Sequence, residues 1–202
     1  DNIYQIKELT PNIITGIGSR IFEFNSINKQ LNVLNNIAFD AEYVNYAKKS
    51  NDELICVGNF KSFNNQKTDG IIYLKKELNA YKINPTYNTA IYSYGNVYAI
   101  EKDNIGNIYL GGSFTKVNEE EHFNMVKLKL NGEINSTFNA KNSVELGTTV
   151  LNINFHEDKL VIGSHHTQFT PFDKVRGLSF MKHDGQFITN VNYPYVFSTG
   201  SI

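Results

Sequence analysis

The feature that most constrains the fold of this chain is an internal repeat of 53 residues. Val44, Val97 and Val150 are 53 positions apart, and each opens the same order of apolar runs, polar turns and a glycine-containing run. A period of this length is typical of architectures in which each repeat buries its apolar face against the next one. The repeat therefore decides how every other motif is interpreted.

The third copy shows the pattern most clearly. An apolar run at 97–100 is followed by a turn at 103–107, a second run at 108–114 that contains two glycines, and a third run at 125–130. An Asn-Gly turn then leads to the aromatic-Asn pair Phe138-Asn139. The other copies repeat these features in the same order, at 54–60, 71–74 and 86–88, at 160–164, 178–187 and 191–193, and, in degraded form, at 13–19, 27–31 and 38–40.

Four repeats account for the whole chain, at about 1–43, 44–96, 97–149 and 150–202. Each holds three clear strand runs and a weaker fourth run, such as 90–94, separated by Asn, Asp and Gly turns. Four short strands in about 50 residues describe one β-propeller blade. The sequence thus predicts an all-β domain of four blades, each a four-stranded antiparallel sheet. The blades form either an open arc of a larger propeller, which we favour, or a closed ring.

Residues 108–118 and 126–139 resemble the delta-sixty repeat, because strand, Gly-Gly, Phe, loop, strand, turn and Phe-Asn follow in order. The resemblance implies propeller blades of the kind found in large bacterial surface or secreted proteins and in some phage proteins. It therefore implies a location on the cell surface, outside the cell or in a virion. The family brings no catalytic residues that can be carried over to this chain.

Composition and charge agree with strands and turns. The chain has 202 residues, 28 of them Asn, a residue that favours turns, and its 19 basic side chains nearly balance 20 acidic ones. A nucleic-acid partner requires a basic excess, and membrane insertion by a helix requires about 20 consecutive apolar residues, so we expect neither. The single cysteine, Cys56, lies in an apolar run and is predicted to be a buried strand residue.

The histidines do not predict a metal site. His165 and His166 are adjacent, so on a strand their side chains point to opposite faces. Pairing Phe155 with Leu160 in a hairpin places Val150 opposite His165 and puts His156 at the other end. His122 and His183 stand alone in loop or turn segments. We therefore expect no metal and no cofactor.

Two acidic segments have simpler interpretations than chemistry. The turn 103–107 carries oxygen ligands of the kind that calcium prefers, but hairpin closure explains the same residues. The run Glu119-Glu120-Glu121 is typical of a solvated loop. Nucleophile and phosphate-binding motifs are absent from the sequence, so we do not expect an enzyme.

A loop of about ten residues joins the second and third strands in copies two to four, at 61–70, 115–124 and 165–177. Phe63, Val117 and Phe169 share one position in these loops and are predicted to anchor them in the blade. The polar tips are the predicted contacts for a ligand or partner: Asn64, Asn65, Gln66 and Lys67; Glu119, Glu120, Glu121 and His122; and Thr170, Asp173 and Lys174.

Three functions remain open from the sequence. The first is a non-catalytic scaffold that binds protein neighbours in a larger bacterial surface or phage-particle assembly. The second is a carbohydrate-binding propeller, since Tyr, Asn and His can stack on and hydrogen-bond to sugars. The third is an enzyme whose site forms only where blades converge on the propeller axis. The absence of a catalytic constellation favours the scaffold.

Overall fold

The computed structural model is built of β-strands. The prediction of an all-β chain is confirmed, since every regular element in the described part is a strand and its sheets are antiparallel. The chain divides into two compact units, Asp1–Ala90 (unit 1) and Ile91–Ile202 (unit 2). The structure describes residues 3–35, 39–42, 44–50, 52–68, 70–84, 91–92, 96–140, 148–165 and 177–188.

Unit 1 begins with a four-stranded meander, sheet 1. Its strands, in spatial order, are β1 (Ile3–Thr10), β2 (Ile13–Gly18), β3 (Ile21–Asn25) and β4 (Gln30–Asn35). Asn12 and Lys29 adopt positive φ in the turns, and Asn25 Oδ1 accepts the backbone N–H groups of Ile27 and Asn28 at 2.9 and 3.3 Å. The copy that is most degraded in sequence therefore forms a complete sheet.

Sheet 2 is a second meander, with a small hairpin inserted after its second strand. Its elements are β5 (Val44–Ser50), β6 (Glu53–Gly58), the hairpin β7 (Ser62–Phe63) and β8 (Gln66–Lys67), then β9 (Ile71–Glu77) and β10 (Ala80–Ile83). The run predicted as the fourth strand, 90–94, supplies no strand to sheet 2 in its described part, since Ile91 and Tyr92 form a short strand that pairs within unit 2. The two-residue turn Leu78-Asn79 lets the chain reverse directly after β9, so β10 takes that place.

The core of unit 1 lies between sheets 1 and 2. It is formed by buried apolar side chains that include Ile17, Ile21, Tyr46, Leu54, Cys56 and Leu74. Cys56 is fully buried, as predicted. At the edge of this core the side-chain amide of Asn35 donates to the carbonyl of Tyr81 at 3.0 Å and accepts its N–H at 2.9 Å. This amide thus joins β4 to β10.

The described part of unit 2 contains three three-stranded sheets, one of which is built of two-residue strands. Its strands are β11 (Ile91–Tyr92), β12 (Val97–Lys102), β13 (Ile108–Gly112), β14 (Lys116–Val117), β15 (Glu120–Glu121), β16 (Met125–Leu128), β17 (Thr149–His156), β18 (Lys159–His165) and β19 (Leu178–Met181). Sheet 3 is β12-β13-β16, sheet 4 is β17-β18-β19, and β11 pairs with the β14–β15 hairpin. Single bridges join Leu128 to Ile134 and Met181 to Phe187, and the segments expected to form the fourth strands of these two copies lie outside the described residues.

The core of unit 2 lies between sheets 3 and 4. Tyr109 of sheet 3 meets Phe138 edge to face, with ring centroids 5.6 Å apart, and Val150, Leu160 and Met181 of sheet 4 belong to the same buried cluster. The next residue, Asn139, donates its N–H to the carbonyl of Asp184 at 2.8 Å. The aromatic-Asn pair recognised in the sequence therefore fastens one sheet to the turn of the next.

Two β-bulges shift the first strands of sheets 3 and 4. Phe155 pairs with Leu160 as predicted, but the bulge between Val150 and Asn152 places Val150 opposite Ser164, so its predicted pairing with His165 was wrong. The corresponding bulge in sheet 3 brings main chain against Gly112, where a Cβ would lie 2.0 Å from the Asn96 carbonyl oxygen. The absence of a side chain at Gly112 therefore allows a close approach of backbone to backbone.

Phe39 occupies a different place from the one its sequence context suggests. The sequence pattern aligns it with Phe138 as a closing aromatic residue. In the structure Phe39 forms a bridge to Phe63, as Ile91 pairs with Val117 in unit 2. Phe39 therefore corresponds to Ile91, and its ring lies 4.8 Å from that of Phe60 and 5.0 Å from that of Phe63.

The first strands of sheets 2, 3 and 4 begin at Val44, Val97 and Thr149, in keeping with the 53-residue period. The exact repeat boundaries and the number of blades stay predictions. Within the described residues, no helix has the length and hydropathy needed to cross a membrane.

Candidate functional site

The predicted partner-binding loop of unit 1 is a tight hairpin, here called the unit 1 tip (residues 61–68). Asn64 and Asn65 both adopt positive φ, 47° and 62°, as a two-residue type I′ turn requires. Phe63, directly before the turn, has no exposed surface, whereas Gln66 and Lys67 on the returning strand are exposed. The predicted anchor is confirmed. Three of the four predicted contact residues, Asn65, Gln66 and Lys67, are exposed, and Asn64 is half-buried.

Unit 2 carries the same hairpin at the corresponding position, here called the unit 2 tip (residues 115–122). Val117 is completely buried, and the turn residues Asn118 and Glu119 have φ of 49° and 68°. The three predicted glutamates, Glu119, Glu120 and Glu121, are all exposed. The predicted anchor is again confirmed, and the tip differs from its counterpart in carrying negative charge.

His122 closes the unit 2 tip. Its Nε2 lies 3.6 Å from Oε2 of Glu120, and the ring is largely covered. Its backbone N–H donates to the carbonyl of Thr115 at 3.0 Å. His122 therefore helps to hold the hairpin closed, while the glutamates face solvent. The third group of predicted contacts, Thr170, Asp173 and Lys174, lies outside the described residues, as does the predicted anchor Phe169.

The turn that resembled a calcium loop is closed by its own hydrogen bonds. Asp103 Oδ1 accepts the backbone N–H groups of Ile105 and Asn107 at 3.1 and 2.7 Å, and Oδ2 accepts the Asn107 side-chain amide at 2.7 Å. These bonds use the carboxylate that a cation would need. Among the described residues, no group of three or more His, Cys, Asp and Glu side chains is arranged to hold a metal ion.

The histidines of sheet 4 are separated as predicted. His156 pairs with Lys159 next to the turn, and His165 pairs with Thr149 at the opposite end of the β17–β18 hairpin. His166 lies outside the described residues. His183, which was predicted to stand alone, does not: its ring stacks on Phe155 with centroids 5.5 Å apart, and its Nδ1 lies 2.9 Å from the hydroxyl oxygen of Tyr109.

Tyr109 and His183 belong to a polar cluster between sheets 3 and 4 that the sequence did not reveal. Burial raises the pKa of the Tyr109 phenol, and the charge of Asp103 and a hydrogen bond to it act in the same direction. Lys127 Nζ lies 5.1 Å from the centre of the Tyr109 ring and donates to the carbonyl of His183 at 3.4 Å. Burial lowers the pKa of Lys127, while Asp103 and Asp184 act in the opposite direction.

The polar groups of this cluster bond to one another and to main chain. Its geometry suits a buried link between two sheets, with the phenol of Tyr109 shared between an imidazole and a carboxylate. Tyr109 and His183 are 74 residues apart in sequence. The only sequence signal for it is a polar residue, Lys127, placed inside an apolar strand run.

A second surface missed by the sequence is the outer face of sheet 1, on the side opposite sheet 2. Ile6 lies across from Gly16, which lies across from Phe22, which lies across from Val33. A Cβ on Gly16 would lie 1.9 Å from the Phe22 ring, so that ring rests flat on the backbone. Ile6, Leu31 and Val33 are 55, 59 and 48% exposed. Contiguous exposed apolar surface of this kind marks protein contact sites.

Comparison with known families agrees with the repeat. Residues 106–138 match a family model described as a domain of unknown function (DUF5122) beta-propeller. The match starts in the turn after β12 and ends at Phe138, so it covers most of the third copy. It supports a β-propeller family for this chain, in line with its small antiparallel sheets. No curated protein matches the chain.

Proposed function

We propose that this chain is a non-catalytic interaction module, an arc of four propeller blades of the delta-sixty type, that binds protein neighbours in a larger assembly. A bacterial cell surface or a phage particle is the setting that the repeat suggests. The observation that carries the proposal is the pair of equivalent hairpin tips, each with a fully buried anchor, Phe63 or Val117, and an exposed polar strand. A rigid frame with variable tips suits contacts with proteins.

The charges of the two tips support partner-specific contacts. The returning strand of the unit 1 tip presents Gln66 and Lys67, whereas that of the unit 2 tip presents Glu120 and Glu121. Complementary charge at an interface contributes to partner choice and association rate more than to raw affinity. We infer that each tip contacts a different neighbouring surface.

The two other functions receive less support from the described residues. Sugar binding uses exposed aromatic rings, but four of the described tyrosines are buried and two are half-buried: Tyr46, Tyr73, Tyr81 and Tyr109, and Tyr4 and Tyr98. An enzyme needs reactive groups that face a substrate, whereas the polar cluster around Tyr109 is occupied by its own hydrogen bonds. These observations favour the interaction module over both.

The test is incorporation of tagged variants into the native assembly of the source organism. A variant with both Glu120→Lys and Glu121→Lys is expected to be incorporated about tenfold less than the wild type, because it reverses the charge of the unit 2 tip. The control is Glu133→Lys, an equally exposed glutamate in the turn after β16, which is expected to assemble within about twofold of the wild type.

Quantitative mass spectrometry of the isolated assembly measures this ratio. Lysine-directed cross-linking on the same material is expected to join Lys67 and Lys116, both exposed on the tips, to other proteins. A native protein that is extracted as a free monomer, without cross-links to neighbours, would overturn the proposed function.

A further inference from the structure

The outermost strand of sheet 1, β4, is an open sheet edge without charge. Among the described strands, its hydrogen-bonding partner is β3 alone. Its six residues, Gln30 to Asn35, include no Lys, Arg, Asp, Glu or Pro, and the first four are exposed. Natural sheets usually protect such an edge with charges, proline, a bulge or a covering segment, because its free N–H and C=O groups can pair with another strand. The bulge of β4 lies near its end, where Leu34 is the extra residue between Val33 and Asn35, so residues 30–33 keep a regular edge.

Two other strand edges in unit 1, those of β5 and β10, are protected by side chains. On β5, the main chain of Tyr46 is covered by two side chains of β1. Lys7 Nζ donates to the carbonyl of Tyr46 at 2.8 Å, and Gln5 Oε1 accepts the Tyr46 N–H at 2.9 Å. The edge of β10 is covered where Asn35 binds both main-chain groups of Tyr81, and it also carries Lys82. In the described part of unit 1, no side chain covers the main chain of 31–34 in this way.

We propose that β4 pairs antiparallel with β4 of a second copy of this chain across a twofold axis. The inference rests on the proposed function, since it names one neighbour and the strand that binds it. Pairing β4 with itself brings uncharged side chains together, so the like-charge repulsion that usually prevents edge pairing is absent. It also continues the hydrogen-bond ladder that already joins β3 to β4.

The side chains of β4 favour this partner as well. Leu31 and Val33 lie across from Phe24 and Phe22 on the outer face of sheet 1. A twofold axis perpendicular to the sheet keeps the outer faces of both copies on the same side. The two apolar stripes then meet at the axis, and Leu31 and Val33 of one copy cover those of the other. Edge pairing and apolar burial therefore reinforce each other in a self-complementary contact.

The test is the oligomeric state of the whole chain, measured by sedimentation velocity from about 1 to about 200 µM. We expect a monomer–dimer equilibrium. Leu31→Lys and Val33→Lys place a charge on the edge and are each expected to weaken dimerisation at least about tenfold. Leu78→Lys makes the same change at a side chain that is 97% exposed in the β9–β10 turn, and it is expected to dimerise like the wild type.

Hydrogen exchange provides a second readout that does not depend on the variants. The amides of 31–34 are expected to exchange more slowly as the protein concentration rises, while those of the unit 1 tip are unchanged. A chain that stays monomeric throughout, or a dimer that Leu31→Lys and Val33→Lys leave intact, overturns the proposal. So does a monomer whose β4 amides are protected only by an extended peptide with alternating apolar residues.

The two proposals fail in different ways. Loss of dimerisation in the purified chain, with cross-links from the tips to other proteins in the native assembly, would overturn the β4 contact alone. A purified dimer whose native form has no other protein neighbours would overturn the interaction with other proteins and leave the β4 contact standing.

Discussion

The hydroxyl oxygen of Tyr109 in sheet 3 lies 2.9 Å from Nδ1 of His183, in the turn that follows β19 of sheet 4. The phenol is completely buried, whereas the imidazole reaches the surface. Buried polar groups are costly unless they are paired, so this contact both satisfies Tyr109 and ties two sheets together.

We expect Tyr109→Phe to lower the free energy of unfolding of unit 2 by about 1–2 kcal/mol, because His183 loses its buried partner. Urea unfolding measures this effect. Tyr98→Phe is the control, since its side chain is half-buried and its hydroxyl accepts a longer bond, 3.2 Å, from Asn96, and it is expected to change stability by less than about 0.5 kcal/mol. A double-mutant cycle with His183→Leu should give a coupling of about 1 kcal/mol; additive effects would contradict a direct link.

Asp103 is expected to stabilise its turn without any cation. Asp103→Ala removes the acceptor of three hydrogen bonds and should cost about 2 kcal/mol. Millimolar calcium or a chelator should leave the thermal midpoint of the wild type unchanged, as measured by calorimetry. A calcium-dependent rise in the midpoint that disappears in Asp103→Ala would mean that the turn binds the ion.

The two hairpin tips should depend on their anchors. Phe63→Ala is expected to cost about 3–5 kcal/mol, and Val117→Ala about 2 kcal/mol because it removes fewer buried carbon atoms. In each case the amides of the affected tip should exchange faster with solvent. Leu78→Ala is the control at an exposed apolar site, with an expected change near zero. Tips that keep their protection after loss of the anchor would contradict the proposed rigid frame.

Two glycines should differ in what an added methyl group does. At Gly16 the new Cβ meets only the ring of Phe22, which can turn outward into solvent, so Gly16→Ala should cost about 1 kcal/mol. At Gly112 it meets the carbonyl oxygen of Asn96, which is fixed by the sheet, so Gly112→Ala should cost about 3 kcal/mol or more. Chemical denaturation compares the two. Equal costs would show that the Phe22 ring does not turn outward to make room for the added methyl group.

The buried tyrosines predict a loss of stability in alkaline solution. Burial raises the pKa of Tyr46, Tyr81 and Tyr109 above the ordinary value of 10.0. Above about pH 10 the unfolded chain therefore releases protons that the folded chain keeps, so stability is full below that pH and falls as the pH rises. Urea midpoints between about pH 8 and pH 11.5 measure the fall.

Tyr109→Phe supplies the control for this pH dependence. It should reduce the alkaline slope for unit 2 and leave that for unit 1, which contains Tyr46 and Tyr81, unchanged. Lys127 has a lowered pKa and so contributes in the opposite sense, because its unfolded form binds more protons at high pH. A slope that is identical in the variant would show that Tyr109 does not titrate as its burial requires.

Local features of the fold could be predicted from the sequence, because they depend on neighbouring residues. The 53-residue period located the strands, and the shared position of Phe63 and Val117 located the two anchors. Features that depend on register could not be predicted. The bulge at Val150 shifts one pairing by a residue, and no sequence pattern distinguishes it from a regular strand.

The polar cluster and the outer face were missed for a different reason. Tyr109 and His183 meet only because two separate sheets pack together, so neither residue is unusual in its own segment. Leu31 and Val33 alternate with polar residues as in any half-buried strand, and the pattern does not say whether their face is covered. Packing partners decide both features, and a single sequence does not contain that information.

The amide of Asn35 has a consequence for how this protein can change over time. It recognises residue 81 only through that residue's peptide N–H and C=O, groups that every amino acid except proline supplies. The hydrogen bonds between β4 and β10 therefore do not depend on the side chain at position 81. Residue 81 can therefore be substituted as core packing requires without loss of these two hydrogen bonds. Replacing Asn35 itself would remove both of them.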